Sequence, residues 1–183
     1  MDNRPDLSKR RFLAGAVAAL VTLPAFPSWG KAPRPRELAF RHLHTGETLQ
    51  VEYHDGRRYL DDALRTVDHY LRDFRTGEVH PIDPGLLDLL YTLRCRTVGR
   101  CRPFEVFSAY RSPKTNAMLR RRSSGVAKHS FHMRGQAIDV RLPGVDVRHL
   151  YRTAWNLQRG GVGLYTRSGF IHVDTGPVRT WGG

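Results

Sequence analysis

Cysteine is nearly absent from this chain, whose 183 residues contain only Cys95 and Cys101. Two cysteines cannot complete a metal site built of thiolates, because no third one exists to join them. In an oxidising compartment they could form one local disulfide, and two free thiols are the alternative. Internal repeats, low-complexity tracts and glycine-rich nucleotide-binding loops are missing as well. Their absence argues against repeat architectures and the common phosphate-cradling folds.

Acidic residues are also scarce. The chain has 17 of them against 30 lysines and arginines, for a net charge of +13. Such an excess attracts polyanions, which include nucleic acid, anionic cell-wall polymers and membrane surfaces. The arginines are scattered apart from one run at residues 120–122, which predicts a solvated basic surface that attracts without specific readout. No helix-turn-helix or aromatic–basic pattern accompanies the charge, so we expect no nucleic-acid partner.

Long hydrophobic runs are lacking too. The apolar stretch at residues 13–27 is interrupted by glycine and proline, and a membrane-spanning helix needs about 20 apolar residues. Basic residues precede the stretch and small residues follow it, as in a signal peptide. S-K-R-R-F-L at residues 8–13 resembles a twin-arginine signal with its arginine pair shifted by one. We therefore predict an export signal and linker at residues 1–31, with an uncleaved anchor as the alternative, a periplasmic location and no membrane span after cleavage.

The remaining residues, 36–183, predict a single globular domain, because 40% of the whole chain is apolar and 10% aromatic. A chain of roughly 150 residues can build a real hydrophobic core. Period-two and helical patterns place a hairpin at 38–53, helices at 61–74, 84–98, 114–122 and 146–159, and strands at 104–108, 136–142, 162–165 and 169–173. Helices and strands alternate irregularly and the last strands form a hairpin, so the predicted fold class is α+β. We expect a monomer.

Histidine and aspartate concentrate in two segments, residues 130–139 and 169–176. A catalytic zinc needs three nitrogen or carboxylate ligands and leaves one position for water. His132, Asp139 and His172 supply that set. Nine histidines also produce pairs by chance, so spacing alone leaves a metal site and a coincidence both open.

Strand alternation favours the metal site. Successive side chains of a strand point to opposite faces. Asp139 lies between two apolar residues of its predicted strand, and so does His172. The two polar side chains should therefore face away from the core, and Asp174 should point the same way as His172. A ligand and a second carboxylate on one face suit a hydrolase in which a metal activates water and a nearby base takes the proton.

Four short motifs then occur in order. They are S-A-Y-R-S-P at residues 108–113, S-x-H-x-x-G-x-A-x-D at 130–139, G-V-G-x-Y at 161–165 and F-x-H-V-D-T-G-P-x-R-x-W at 170–181. Together they resemble the YcbK-like murein endopeptidase branch of the zinc D,D-/L,D-peptidases. That superfamily also includes D-Ala-D-Ala carboxypeptidases and the Hedgehog signalling domain. The resemblance implies a Hedgehog/D,D-peptidase-like fold, a small and mostly antiparallel sheet with helices packed on one side.

The resemblance also implies an activity and a cofactor. His132, Asp139 and His172 become the ligands of one Zn²⁺ ion per chain. The expected reaction is hydrolysis of peptide cross-links in peptidoglycan, D,D or L,D, with the stem peptides as binding partners. A non-catalytic zinc module that binds wall peptides is the alternative, because a fold does not settle a function.

Five further residues receive candidate roles. By the resemblance, Arg111 steadies the oxyanion, with a salt bridge as its structural alternative. Ser130 and Tyr110 are assigned to the substrate, although Ser130 could equally cap a turn. The general base is less determined, because the positions just before His172 carry no group that accepts a proton. Asp174 is the first candidate and His129 the second; Asp174 could instead orient a ligand histidine.

Overall fold

The structure is a computed structural model that describes residues 34–98, 102–123 and 125–182. The predicted export signal at residues 1–31 lies outside the described residues, and so does Cys101. Cys95 is exposed on its helix, and the disulfide remains a prediction. Within the described ranges, no helix combines the length and the apolar character needed to cross a bilayer.

The chain begins with the predicted hairpin. Strands β1 (Arg36–His42) and β2 (Thr48–His54) pair antiparallel. The turn between them is closed by the backbone N–H of His42, which donates to the carbonyl of Glu47 at 2.9 Å. Gly46 in this turn has φ +75°, a left-handed conformation that glycine adopts without steric cost.

Four helices follow the predicted helical spacings: α1 (Asp61–Tyr70), α2 (Pro84–Thr97), α3 (Pro113–Arg122) and α4 (Val147–Asn156). The start of α2 is as predicted: Asp83 accepts a hydrogen bond from the backbone N–H of Gly85 at 2.8 Å, and Pro84 occupies the first turn. Helices α1 and α4 end three or four residues earlier than their apolar spacing suggests. In the second case Gln158 has φ 51°, which a helix cannot continue through.

Five more strands complete the sheet: β3 (Phe104–Ser108), β4 (Ala137–Arg141), β5 (Gly161–Tyr165), β6 (Phe170–Asp174) and β7 (Arg179–Gly182). The strand order is β2-β1-β3-β4-β6-β5-β7. Four neighbouring pairs run antiparallel, whereas β1 with β3 and β5 with β7 run parallel. The predicted α+β class with a mostly antiparallel sheet is confirmed. Strand β7 was not predicted.

One face of the sheet carries the core. Its buried side chains alternate along the strands and pack against α1, α2 and α4: Leu38, Phe40, Phe104, Val106, Ile138, Val140, Val162, Leu164, Ile171 and Val173. The opposite face of β4, β6, β5 and β7 carries the polar residues singled out by the motifs. Helix α3 contributes Leu119 to a cleft over that face. Alternation along the strands thus separates the packed side of the sheet from its polar side.

Candidate metal centre and cleft

Strand register aligns the site residues in one row across the sheet. Asp139 on β4 is opposite His172 on β6, His172 is opposite Gly163 on β5, and Gly163 is opposite Trp181 on β7. A β-bulge between residues 106 and 108 brings Ser108 of β3 opposite Asp139. Directly opposed residues lie close together on one face, so the predicted orientation of Asp139 and His172 is confirmed.

Three donor atoms converge at this row. Asp139 Oδ1 lies 2.9 Å from His172 Nδ1 and 3.3 Å from His132 Nε2. The two ring nitrogens lie 3.1 Å apart. All three side chains are buried, and they form the one group of three or more potential ligands among the described residues.

The donor set fits a zinc ion. Tetrahedral ligands at about 2.0–2.1 Å from the metal lie about 3.3 Å from one another, close to the three separations observed here. Two imidazoles and one carboxylate are also a ligand combination that zinc accepts. Without a cation, His132 Nε2 and His172 Nδ1 would compete for a single carboxylate oxygen. The chemistry of the group therefore matches a metal site.

His132 is held in place by the loop that carries it. Its Nδ1–H donates to the carbonyl of Ala109 at 2.6 Å, which leaves the Nε2 lone pair for the centre. It sits in a short 3₁₀ turn, Phe131–Arg134, in which the backbone N–H of His132 donates to the Ser130 hydroxyl at 3.3 Å. Ser130 is thus a cap, the alternative that the sequence left open for it, and it also lines the cleft.

The turn ends at Gly135. Its φ is +65°, and a Cβ at this position would collide with the carbonyl oxygen of Pro81. Only glycine adopts this φ without strain and has no Cβ to collide with Pro81. Gly135 therefore allows the chain to reverse tightly between His132 and the start of β4.

Asp174 lies behind His172. Its Oδ2 accepts from His172 Nε2 at 3.0 Å, which directs His172 Nδ1 toward Asp139. Asp174 has no exposed surface. Its oxygens also accept from Arg179 at 2.6 and 3.0 Å and from the backbone N–H groups of Gly161 and Gly176 at 3.1 and 2.8 Å. Both carboxylate oxygens are thus engaged on the side of His172 away from the other two candidate ligands.

Arg111 contacts the other side of the centre. Its guanidinium forms an ion pair with Asp139 Oδ2, and its Nε donates to Ser108 Oγ at 2.8 Å. Its backbone N–H donates to the carbonyl of His132 at 3.2 Å. The salt bridge considered as an alternative for Arg111 is therefore present, and it joins this cation directly to a candidate ligand.

The buried ionisable groups of the centre shift one another's pKa values. Burial favours neutral His132 and lowers its pKa to about 4, so the Nε2 lone pair is available at neutral pH. Burial would raise the pKa values of Asp139 and Asp174. Instead, Asp139 is held well below its ordinary pKa by the neighbouring histidines and Arg111, and Asp174 by His172, Arg179 and the backbone N–H of Gly176. Both carboxylates are ionised at neutral pH.

The candidate ligands open into a cleft of about 750 Å³. His129 lies at its rim, exposed, and its ring has no hydrogen-bond partner among the described residues. Tyr110 does not line the cleft. It is buried, its hydroxyl donates to Glu78 at 2.5 Å, and its ring stacks on His80. The structure places Tyr110 in the core because the chain turns after β3 and directs this side chain away from the cleft.

Some cleft residues received no role from the sequence. Trp181 packs against the His172 ring, with centroids 5.1 Å apart, and its Nε1–H donates to the Tyr165 hydroxyl at 3.1 Å. Gly163 makes room for it, because a Cβ there would lie 2.5 Å from the indole. The motif contained both residues, but their contact depends on the parallel pairing of β5 with β7. Arg75, in the loop after α1, carried no local signal at all.

Comparison with known proteins agrees with this geometry. A family profile described as "Peptidoglycan L,D-endopeptidase MepK" matches residues 30–181. The protein of that name from Escherichia coli (strain K12) is 44% identical over 180 residues, which cover 96% of this chain and 98% of the relative. "Probable peptidoglycan L,D-endopeptidase MepK" from Haemophilus influenzae is 42% identical over 184 residues, which cover 99% of each. No solved structure gives a significant match. The chain belongs to the peptidoglycan L,D-endopeptidase MepK family.

Proposed function

We propose that this protein is a zinc-dependent endopeptidase that hydrolyses L,D-linked peptide cross-links of peptidoglycan. Family membership supports the reaction class and the substrate. The observation that carries the zinc dependence is the convergence of three buried donor atoms at the floor of an open cleft.

The metal would be held by His132 Nε2, Asp139 Oδ1 and His172 Nδ1. Zinc bound there supplies a Lewis acid and lowers the pKa of a water molecule. The chain's contribution is to orient these donors. The carbonyl of Ala109 fixes the His132 ring and the carboxylate of Asp174 fixes the His172 ring.

Arg111 would stabilise negative charge on the scissile carbonyl oxygen. It lines the cleft and is largely buried, so its charge acts where water is scarce. Ser108 and Asp139 fix the guanidinium from two directions. The ion pair and the oxyanion role are therefore compatible. The guanidinium donates to Asp139 and also borders the cleft, where the scissile carbonyl would lie.

The proton would be carried by His129. A general base must reach the attacking water, and Asp174 is enclosed behind His172 with both oxygens occupied. We therefore assign Asp174 as a positioning residue that orients His172. His129 borders the cleft, is exposed, and can accept a proton from water and return it to the amine that leaves.

The non-catalytic alternative calls for a closed metal centre. A structural zinc is almost always surrounded by four protein ligands, whereas a catalytic zinc keeps one position open. Among the described residues, the group that could hold a metal contains His132, Asp139 and His172 and no fourth member. This favours the enzyme.

Export to the periplasm is part of the proposal. It is supported by the basic and apolar pattern of residues 1–31 and by the substrate named for the relatives, which lies outside the cytoplasm. The net charge of +13 suits an anionic wall polymer. A fusion of residues 1–31 to a reporter that is active only after export tests this. Failure of the fusion to leave the cytoplasm would contradict it.

A digest tests the activity. Purified protein is incubated with muropeptide dimers joined by an L,D or a D,D link, with and without a chelator, and the products are read by mass spectrometry. We expect cleavage of the L,D dimer, its loss on chelation and its return with added zinc. Cleavage that persists in the chelated protein would contradict the zinc proposal, and an intact L,D dimer would contradict the substrate.

A further inference from the structure

Among the described residues, three guanidinium groups line the cleft, and they differ in their partners. Arg111 is paired with Asp139, and Arg179 is paired with Asp174. Arg75 also lines the cleft, yet its guanidinium has no carboxylate partner among the described residues. It is therefore a cation available to a ligand.

The chain holds the Arg75 side chain in position. Its guanidinium carbon lies 4.1 Å from the centroid of the Phe74 ring. That ring stacks on His44 of the β1–β2 turn at 4.4 Å. The backbone N–H of Arg75 donates to Asp73 Oδ1 at 3.0 Å, which fixes the loop. A stacked guanidinium loses less freedom when it binds an anion, so its position is largely prepared before the ligand arrives.

One carboxylate, that of Asp73, lies near Arg75, but its oxygens accept from Ser112 and from the backbone N–H of Arg75, and it forms no ion pair with the guanidinium. Burial lowers the pKa of Arg75, Asp73 raises it, and the neighbouring cations Arg111 and Arg122 lower it; Arg75 remains protonated at neutral pH. Asp139 is the one carboxylate that lines the described part of the cleft, and Arg111 already binds it. An anionic group entering the cleft would therefore meet a guanidinium that no carboxylate of the described residues holds in an ion pair.

The proposed substrate carries such a group. An L,D cross-link joins two diaminopimelate residues, and each of them has two amino-acid centres, each with an amine and a carboxylate. When one centre gives its amine to an L,D cross-link, its own carboxylate remains free, next to the scissile amide nitrogen. The positive charge of Arg75 is complementary to this carboxylate, and a guanidinium can bind a carboxylate through two parallel hydrogen bonds.

We propose that Arg75 binds the free carboxylate adjacent to the scissile amide and so selects cross-links in which that carboxylate is not amidated. This inference rests on the proposed function. It makes Arg75 a specificity-determining residue, distinct from the groups that hold the metal or act on the carbonyl.

The test compares two substrates. One is the L,D-linked dimer with its free carboxylate, and the other is the same dimer with that group converted to a carboxamide. KM and kcat are measured for the wild type, Arg75→Ala and Arg75→Lys. Arg120→Ala, which removes an exposed cation of α3 that does not line the cleft, is the matched control.

We expect Arg75→Ala to raise KM for the free-carboxylate dimer roughly tenfold or more, because a charge-assisted contact is lost, and to leave KM for the carboxamide dimer unchanged. Arg75→Lys should recover only part of the loss, because the ammonium keeps the charge but cannot form two parallel hydrogen bonds, and Arg120→Ala should match the wild type. Equal losses on both dimers, or no loss on either, would overturn the inference.

Calorimetry on the zinc-loaded protein separates this inference from the proposed function. If the wild type cleaves neither dimer yet binds the free-carboxylate dimer more tightly, and Arg75→Ala abolishes that preference, the endopeptidase proposal fails and the inference stands. If the wild type cleaves the L,D dimer but binds and cleaves its carboxamide equally well, the inference fails alone.

Discussion

The carboxylate of Asp174 accepts a hydrogen bond from His172 Nε2 at 3.0 Å while the other nitrogen of the same ring lies 2.9 Å from Asp139. One imidazole thus connects an enclosed carboxylate to the candidate metal centre. This arrangement fixes the ring and its tautomer. Asp174 could orient His172 or act as the general base, and these two roles lead to different experimental predictions.

Asp174→Asn should weaken zinc binding by roughly 10- to 100-fold, because the ring of His172 loses an ionised acceptor. Activity should fall at limiting zinc and largely recover when zinc is saturating. Chelator competition measures the affinity, and cleavage of the L,D dimer is followed across zinc concentrations. A general base would behave differently: activity would stay low at saturating zinc while metal affinity remained unchanged.

Arg111→Lys should lower kcat by roughly 100-fold, since an ammonium group cannot bind Asp139 and Ser108 from two directions and also present a donor to the cleft. Zinc content should be retained, because the three donors remain. Steady-state kinetics and metal analysis of the same preparation check both statements. A variant with normal kcat would refute the oxyanion role and leave Arg111 with its ion pair alone.

Gly163→Ala should displace Trp181 from the His172 ring, because the new methyl group would lie 2.5 Å from the indole. We expect lower activity and a changed tryptophan emission. The test is a double-mutant cycle, in which Gly163→Ala should have little further effect once Trp181→Ala has removed the ring. Additive effects of the two substitutions would show that the methyl group acts elsewhere.

His42 predicts a pH dependence outside the metal centre. It is buried, and its Nδ1 accepts from the backbone N–H groups of His44 and Thr45 at 3.2 and 3.3 Å. Burial and neighbouring cations lower its pKa to about 4, from about 6.5 in an unfolded chain. His44, Glu47, Arg72 and Arg75 act on its charge, and the Tyr70 ring lies edge-on to it with centroids 6.3 Å apart.

The unfolded state therefore binds the proton first, and the contribution of His42 to stability is complete above pH 6.5 and lost as the pH falls to about 4. That contribution is on the order of 3 kcal/mol. His42→Asn keeps an acceptor for the turn but cannot titrate. Urea unfolding across this range should give a flatter pH curve for the variant, and parallel curves would contradict the assignment.

Local patterns predicted most of the fold. The hairpin, the capped start of α2, strand β3 and the outward faces of Asp139 and His172 all follow from periodicity within a few residues. Strand β7 did not, because its four residues follow a turn that contains glycine and proline, and each pairs in parallel with a β5 residue 18 positions earlier in the chain.

The sequence predicted the three donor residues of the candidate site, but not the contacts that surround them. Alternation placed Asp174 on the face of His172, but it could not show that Arg179 and two backbone N–H groups enclose the carboxylate. Tyr110 belongs to a motif whose neighbour Arg111 enters the cleft, yet it follows β3, where strand alternation no longer fixes orientation. Arg75 is brought to the cleft by tertiary packing alone.

The central claim is that His132, Asp139 and His172 hold one zinc ion that the cleavage reaction requires. Metal content and digestion of the L,D dimer should be measured together on the wild type, His132→Ala and His69→Ala, which removes an exposed histidine of α1 as a control. We predict one zinc per chain and cleavage in the wild type and the control, and neither in His132→Ala with its fold retained. A His132→Ala protein that still binds zinc and cuts the dimer would contradict the account.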